Sequence, residues 1–413
     1  MSEETAPIVI IGAGMAGLSC ALKLQEAGKD IRVLEAGDRV GGRIRTDEKE
    51  GYLIDRGFQV YLDAYPTAGA LLDLDALDLR KFEPGALIWR GGKLHRMMDV
   101  FRRKAALFST AFSAIGSLGD KLKVGLLRLS LKNKSLEKIQ SDPDMTTEAL
   151  LKQRGFSPEM IDGFFRGFYG GIFLERDLRT SSRMFEFTFK MFANGSATVP
   201  AKGMQQIPEQ LAARLRAGTL RLGSPVEKIE KGKVTLQNGE VVEASQIVVA
   251  TDAKSAANLV PEMANEMPAW RSEVNFAFGF EGAVLVEPII ALNGMRRGVI
   301  NNVCNMAAVS PDYAPAGHSL LMVTVLGASE NPALESQVRA ELSQWFETDA
   351  TTWKLISRDR IVQALPEQGP NGFRKGYLKA AEGIWMAGDY CESASIEGAV
   401  VSGQKVANFL LEA

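Results

Sequence analysis

The first 35 residues constrain the fold most, because they place a glycine loop between two strand patterns. Ile8–Ile11 is a short run of β-branched apolar residues, which is typical of a buried parallel strand. The letters GAGMAG follow it, then a helical pattern over 18–27, and then a second strand pattern, Ile31–Leu34, that ends at Glu35. Dinucleotide-binding domains need this order of elements, so the sequence predicts a Rossmann-like α/β domain at the start of the chain.

Each glycine of the loop has a mechanical reason. Gly12 allows the tight turn, Gly14 lets the backbone approach a pyrophosphate, and Gly17 lets the helix pack close to the strand. The start of the helix offers free N–H groups to phosphate, and Glu35 can accept both ribose hydroxyls. An acid at this place disfavours a 2′-phosphate, which favours FAD or NAD over NADP. The predicted dinucleotide contacts in this region are Gly12, Ala13, Gly14, Met15, Ala16, Gly17 and Glu35.

A second loop follows directly, with the letters AGDRVGGR at 36–43. Its glycine pair and arginines give a further close backbone approach and cations for a pyrophosphate, which FAD proteins of the glutathione-reductase type use. Three later stretches complete a pattern: PAKGM at 200–204, Val226 with the strand pattern that ends at Thr251, and GD at 388–389 followed by SIEGAVVSG at 395–403. On these motifs the chain resembles the flavin amine oxidase and carotenoid (phytoene) desaturase superfamily.

The resemblance implies bound FAD and a role for several residues. The backbone at Val226 would face adenine, Asp389 would bind the ribityl chain or a phosphate, and the helix near Ile396 would point its start at the flavin. The segment from Gly57 to Val60 would lie near the isoalloxazine ring. The further cofactor contacts that it implies are Ala36, Arg39, Gly41, Gly42, Arg43, Gly57, Phe58, Gln59, Val226, Ala250, Thr251, Gly388, Asp389, Ser395, Ile396, Glu397 and Ala399.

The chemistry at the flavin is less defined by the sequence. No cysteine lies between Asn305 and Tyr390, where related proteins with a covalent flavin carry one, so we expect non-covalent FAD. No side chain stands out as a catalytic base, and Gln59 and Arg183 are the catalytic candidates. With one strand-preceded GxGxxG, a second domain for NAD(P)H is not indicated, and the expected electron acceptor is a quinone or oxygen.

The same resemblance divides the chain into two discontinuous domains. We expect an FAD-binding domain from 1–65, 200–260 and 375–413, with a mostly parallel sheet. We expect a substrate domain from 66–199 and 261–374, helical in its first half. Its second half has strand patterns at 276–280, 284–286, 299–303 and 320–326, which predict an antiparallel sheet.

Composition excludes several classes of function. The net charge of −2 gives no overall basic surface for nucleic acid, and three cysteines with two histidines support neither a disulfide framework nor a metal site. The acidic start of the chain lacks the features of a signal peptide, and no apolar run is long enough to cross a bilayer. We therefore expect a cytoplasmic protein.

Two segments of the middle have an unusual composition. The stretch 93–134 holds ten basic and two acidic residues among apolar ones, which is typical of a surface that docks on a membrane; the alternative is a pair of ordinary domain helices. The stretch 156–192 holds ten aromatic residues, which either line an apolar substrate tunnel or pack a helical core.

Two departures separate this chain from flavin amine oxidases. Those enzymes carry a lysine in the substrate-side sheet, whereas 270–278 has none, and Ser395 stands where they carry an aromatic residue. The pattern is closer to plant-type phytoene desaturases and protoporphyrinogen oxidase-like proteins. The favoured hypothesis is an oxidoreductase that removes hydride from an apolar, isoprenoid- or carotenoid-type substrate. The alternatives are an amine or protoporphyrinogen oxidase, a flavin isomerase without net redox change, and a non-catalytic FAD-binding protein.

Overall fold

The computed structural model describes residues 6–99, 115–372 and 379–412. The strands in these ranges are β1 Ile8–Ile11, β2 Ile31–Leu34, β3 Thr46–Lys49, β4 Tyr52–Asp55, β5 Tyr61–Leu62, β6 Leu79–Lys81, β7 Gly85–Arg90, β8 Lys93–Met98, β9 Ala197–Pro200, β10 Leu220–Arg221, β11 Val226–Glu230, β12 Lys233–Leu236, β13 Val241–Glu243, β14 Gln246–Val249, β15 Trp270–Glu281, β16 Ile290–Asn293, β17 Ile300–Asn305, β18 His318–Leu326, β19 Lys354–Pro366, β20 Lys379–Ala381 and β21 Ile384–Met386.

Helices connect and cover these strands. They are α1 Met15–Glu26, α2 Pro66–Leu71, α3 Leu118–Lys132, α4 Leu136–Ser141, α5 Thr147–Gln153, α6 Pro158–Met160, α7 Arg166–Phe173, α8 Ser182–Asn194, α9 Gln206–Ala212, α10 Ala253–Leu259, α11 Met306–Val309, α12 Leu334–Phe346 and α13 Ile396–Glu412. A π-helical turn, Ile161–Phe165, joins α6 to α7. No helix in the described ranges is both long and apolar enough to cross a membrane.

The first sheet has the order β10-β2-β1-β14-β21-β20, and every pair except β20 with β21 is parallel. All four residues of β1 are buried, which is why this strand is uniformly apolar. The strands come from three separated stretches of the chain, each within a range predicted for the FAD-binding domain. The domain boundaries themselves stay a prediction.

Helices α1 and α13 pack against each other beside this sheet. The Ser19 hydroxyl donates to the carbonyls of Ala16 and Val400, at 3.0 and 3.1 Å. A Cβ on Gly403 would lie 2.1 Å from the Ala16 carbonyl oxygen, so only glycine permits this helix contact. The first and last helices are thereby held together in one unit.

The second sheet has seven strands in the order β19-β15-β18-β17-β16-β7-β8. All neighbours are antiparallel except β16 and β7, which are parallel. Helices α3 to α8 form a layer with a core of its own, in which Phe165 and Phe185 are fully buried. The mixed α/β architecture, with one parallel and one largely antiparallel sheet, is confirmed.

Two details of the predicted substrate domain were wrong. The stretch 284–286 is not a strand, although its neighbours 276–280, 299–303 and 320–326 fall within or overlap β15, β17 and β18. The first half of the domain, 66–199, is not helical throughout: it holds the helices α2 to α8, but β7 and β8 form a hairpin that joins the second sheet. Pairing with β16, which lies about 200 residues later in the chain, cannot be read from local periodicity. Residues 100–114 of the basic stretch lie outside the described residues.

Candidate functional site

A cavity of about 1880 Å³ lies between the two sheets and the helical layer. Its floor is formed where β1, β2, β14 and β21 end, and a residue one or two positions after each of these strands lines it: Gly12, Glu35, Ala250 and Gly388. Parallel sheets place binding sites at this edge, because the loops there can be varied without disturbing the sheet. The cavity continues past β19 to the helices α3, α7 and α8.

The glycine loop after β1 forms the tightest part of the floor. Gly12 has φ +103°, and a Cβ there would lie 2.7 Å from the Ala250 carbonyl oxygen. A Cβ on Gly17 would lie 2.0 Å from the Gly12 carbonyl oxygen, whereas one on Gly14 would meet no atom within 4 Å. Gly12 and Gly17 are therefore required by the fold itself, and Gly14 leaves open space above the start of α1.

The second loop closes over the first. The Gly41 amide donates to the Ala13 carbonyl at 2.9 Å, and a Cβ on Gly42 would lie 3.7 Å from the Gly14 Cα. Gly41 and Gly42 have φ of +116° and +61°, values that glycine adopts without strain. The two loops thus form a narrow backbone cradle of the kind that a pyrophosphate needs.

Glu35 joins both loops from the end of β2. Its carboxylate accepts hydrogen bonds from the amides of Ala13 at 2.7 Å and Gly37 at 2.8 Å. Its own backbone is held by Arg221 and Ser224, which brings Val226 to the same end of the cavity. This end of the cavity therefore holds Glu35, which the sequence predicts to bind the ribose, and Val226, whose backbone it predicts to face adenine.

Arg43 and Asp389 form an ion pair in the middle of the cavity wall. Arg43 Nη2 lies 2.6 Å from Asp389 Oδ1, and Nη1 donates to the Ala364 carbonyl at 3.1 Å. Burial works to lower the pKa of Arg43, but the Asp389 carboxylate outweighs it and the pKa lies above its ordinary value. Gln59 Nε2 donates to the Arg43 carbonyl at 2.9 Å, so Gln59 positions the same loop.

The start of α13 completes the wall. The Ser395 hydroxyl accepts a hydrogen bond from the Gly398 amide at 2.9 Å and so caps the helix. Glu397 is turned away from the cavity: its carboxylate accepts from the amides of Thr67 and Ala68 at the start of α2. It joins two helices and does not line the cavity, unlike Ser395, Ile396 and Ala399.

Comparison with known proteins identifies the architecture. The sequence profile of the family described as flavin containing amine oxidoreductase matches residues 15–411. The chain belongs to this family. It is 25% identical to a chloroplastic protoporphyrinogen oxidase from Nicotiana tabacum, over 97% of this chain and 85% of that one. It is 24% identical to a chloroplastic/chromoplastic 15-cis-phytoene desaturase from an Oncidium hybrid cultivar, over 98% and 78% of the two chains.

Solved structures show the same fold. The crystal structure of a putative protoporphyrinogen oxidase from Exiguobacterium sp. 255-15 superposes with a TM-score of 0.76, covering 99% of this chain and all of that one. The sequence identity is 19%. The protein is thus a flavin-dependent oxidoreductase with the fold of this family, as the motifs indicated.

The structure brings most of the predicted cofactor residues to one cavity. All of them line it except Ala13, Gly17, Arg39, Gly57 and Glu397. Ala13 and Gly17 act through the backbone of the glycine loop, and Arg39 is paired with Asp47. The backbone cradle, the open space at Gly14 and the Arg43–Asp389 pair fit an FAD of this family, which would supply two-electron redox chemistry when bound.

The two catalytic candidates differ in their position. Gln59 lines the cavity, but both hydrogen bonds of its amide go to backbone carbonyls, those of Arg43 and Arg56. Arg183 is not among the described residues that line the cavity; its Nε donates to the Asp142 carbonyl at 2.9 Å. The catalytic hypothesis for Arg183 is therefore withdrawn, because the side chain is used to join α8 to the end of α4.

Sequence reasoning missed Glu273. This residue lines the cavity from β15 and is 5% exposed, and burial raises the pKa of its carboxyl to about 8. It is the one charged residue in the stretch 273–280, which is otherwise mostly apolar. A lone acid in an otherwise mostly apolar strand pattern is the signal that the sequence carries for this residue.

Substitutions at Gly14 and Gly17 of the first loop are expected to have different effects. Gly14→Val places methyl groups in the open cradle, so FAD affinity falls by at least about 100-fold while the apoprotein keeps its stability. Gly14 has φ −77°, which valine adopts readily. Gly17→Val collides with the Gly12 carbonyl and destabilises the apoprotein itself. FAD titration by fluorescence quenching and urea unfolding of both apoproteins measure the two effects; equal loss of stability would contradict the assignment.

The raised pKa of Glu273 predicts that the free energy of unfolding depends on pH. Between its ordinary pKa of 4.5 and its native pKa of about 8, the native protein keeps a proton that the unfolded chain has released. This carboxyl therefore lowers the free energy of unfolding by about 1.4 kcal/mol for each pH unit in that interval. Glu273→Gln should remove that slope in urea unfolding. Glu281→Gln, at the exposed end of the same strand, is the control and should keep it; parallel curves for wild type and Glu273→Gln would contradict the prediction.

Proposed function

We propose that this protein removes hydride from an apolar substrate by means of non-covalently bound FAD and passes the electrons to a quinone or oxygen. The observation that carries the proposal is the apolar wall of the cavity beyond the cofactor cradle. The reaction class best supported is the desaturation of an isoprenoid- or carotenoid-type molecule.

Aromatic side chains form much of that wall. Five of the ten aromatic residues in 156–192 line the cavity: Phe164, Phe168, Tyr169, Phe189 and Phe192. Another four, Phe156, Phe165, Phe173 and Phe185, are buried in the core of the helical layer. The helical-core interpretation therefore holds for one face of these helices, and the cavity along the other face supports the tunnel interpretation. A long apolar substrate would gain by leaving water for such a surface.

Two features weigh against an amine substrate. The cavity face of β15 presents Glu273 and no lysine, and the position before Ile396 is Ser395, whose hydroxyl caps α13. A protonated amine also needs an aromatic cage near the reacting atom. Protoporphyrinogen oxidation stays the second candidate, since the relative from Nicotiana tabacum carries that name and a tetrapyrrole is also large and apolar. A flavin isomerase would need the same cavity.

The residues of the cavity have separable tasks in this proposal. The backbone cradle at Gly14 and Gly42 would hold the pyrophosphate, and Asp389, oriented by Arg43, would accept hydrogen bonds from hydroxyls of the cofactor. The aromatic wall positions the substrate and excludes water from the reacting bond. Bound FAD would accept two electrons as hydride.

The rim of the cavity supports contact with a membrane. Leu118, Leu122, Leu126 and Leu129 of α3 line the cavity and are each more than half exposed. They repeat at helical spacing, so they form one apolar stripe. The same helix carries four basic residues and a single acid, the buried capping residue Asp120. A stripe of this kind beside cations fits an anionic lipid surface, from which an apolar substrate could enter.

Anaerobic mixing with a substrate panel tests the reaction class. We expect a carotenoid precursor to bleach the long-wavelength flavin band, because hydride transfer reduces the flavin. Squalene derivatives, porphyrinogens and polyamines are the comparison compounds. Bleaching by a polyamine alone would refute the proposal, and bleaching by a porphyrinogen alone would select the second candidate. If a polyene is converted in the absence of an electron acceptor and the flavin band is not bleached, the protein is a flavin isomerase.

Vesicle flotation tests the rim. We expect the wild-type protein to float with phosphatidylglycerol-containing vesicles, and Leu122→Gln with Leu126→Gln to weaken partition by about 100-fold, since two leucines no longer enter the bilayer. Val241→Gln, an exposed apolar residue on β13, is the control and should float like wild type. Equal flotation of the double variant and the wild type would refute membrane docking through α3.

A further inference from the structure

Glu273 occupies a rigid position in the wall of the cavity. Its strand, β15, is paired on both sides, and Glu273 lies opposite Leu326 of β18 and Ile361 of β19. The backbone cannot move without breaking two ladders of hydrogen bonds. Its side chain, 5% exposed, lines the cavity among the apolar residues of β19. The carboxyl is therefore held in place by the sheet.

This carboxyl differs from the other buried acids of the described chain. No described residue donates a hydrogen bond to it, and no described cation pairs with it. An unpartnered buried carboxyl is costly, so its presence needs a reason. Every other buried acid has partners: Asp55 on Thr46 and Tyr313, Asp120 on Ser117 and Ser157, Glu175 on Thr180, Glu186 on Arg154, Asp389 on Arg43, and Glu397 on Thr67 and Ala68.

The carboxyl touches the loop that the sequence places beside the flavin ring. A Cβ on Gly57 would lie 2.2 Å from Glu273 Oε1, so the absence of a side chain at Gly57 makes room for this oxygen. Gly57 has φ +87°, and two residues later Gln59 is bonded to the Arg43 carbonyl of the cofactor cradle. The three residues from Gly57 to Gln59 thus connect the acid to the cradle.

The charged groups on the elements next to Glu273 have other partners. Arg56 pairs with Asp47, Arg271 with Glu367, and Arg360 with Glu330. On β19, Arg358 donates to the Asn331 carbonyl at 3.4 Å, and Asp359 accepts a hydrogen bond from the Ser357 hydroxyl. Burial alone raises the pKa of Glu273, to about 8. A group that changes protonation near neutral pH inside a substrate cavity is suited to proton transfer.

We propose that Glu273 is the proton acceptor of the oxidation, a catalytic residue that acts on the substrate. This inference rests on the proposed function. As one substrate C–H bond gives up its electron pair as hydride, the neighbouring C–H bond breaks. Its electron pair forms the new double bond, and its proton moves to a carboxylate oxygen of Glu273. The acid later releases that proton to water. The oxidant is the FAD of the family, so atoms and electrons balance.

Rapid mixing of the FAD-loaded protein with the panel compound that bleaches wild type tests the step. We expect the wild-type rate of bleaching to rise with pH through about 8, as the carboxylate forms. Glu273→Gln should lower the rate by about 10²–10⁴-fold and remove this limb, with unchanged FAD affinity. Glu273→Asp should restore part of the limb, and Glu281→Gln should match wild type. A Glu273→Gln variant with the wild-type rate and pH profile would overturn the inference and leave the proposed function standing.

Infrared spectroscopy of the same proteins gives a readout that needs no substrate. We expect a protonated-carboxyl band in wild type and Glu281→Gln that disappears with a midpoint near pH 8, and we expect Glu273→Gln to lack it. An identical band in Glu273→Gln would overturn the inference, because the proton would then belong to another group. Failure of every panel compound to bleach the wild type would refute the proposed function alone, and the infrared titration would still decide whether Glu273 holds the exchangeable proton.

Discussion

The approach of backbone to backbone around α1 is the constraint on which the rest of the structure depends. Gly17 lets α1 approach the Gly12 carbonyl, and Gly403 lets α13 approach the Ala16 carbonyl. Because α1 is held from two sides, its first residues point into the cavity and cannot shift. The cradle for a dinucleotide is thus a consequence of helix packing.

The cavity combines two environments that need opposite kinds of side chain. At the cofactor end Glu35 and Asp389 have partners: Glu35 accepts from the amides of Ala13 and Gly37, and Asp389 pairs with Arg43. At the substrate end the wall is aromatic and aliphatic, and Glu273 has no partner in the described chain. Satisfied polar groups give rigidity, whereas an unsatisfied group keeps a variable protonation state. The partnered acids, such as Glu35, are suited to hold a cofactor in place, whereas the unpartnered Glu273 is suited to exchange a proton with a substrate.

The cofactor end could be predicted from the sequence because its signals are local. The turn at Gly12 and the acid at Glu35 each follow from a few neighbouring residues. The substrate end could not be predicted in the same way. β7 joins the second sheet by pairing with β16, a strand that is distant in the sequence. The Arg183 side chain donates to the Asp142 carbonyl, a contact that depends on how two helices pack. Residue type alone predicted a catalytic role for Arg183 and gave no such prediction for Glu273.

The sequence by itself determined the flavin-type α/β fold and the family, because backbone conformation and phosphate chemistry restrict which residues fit. Most of the cofactor contacts that it predicts line one cavity. Only the tertiary structure decided which aromatic residues face the cavity, that Glu397 joins two helices, and that the α3 leucines form a rim. The direction in which a side chain faces depends on what packs behind it. For residues on strands and helices far apart in the chain, the fold supplies that information.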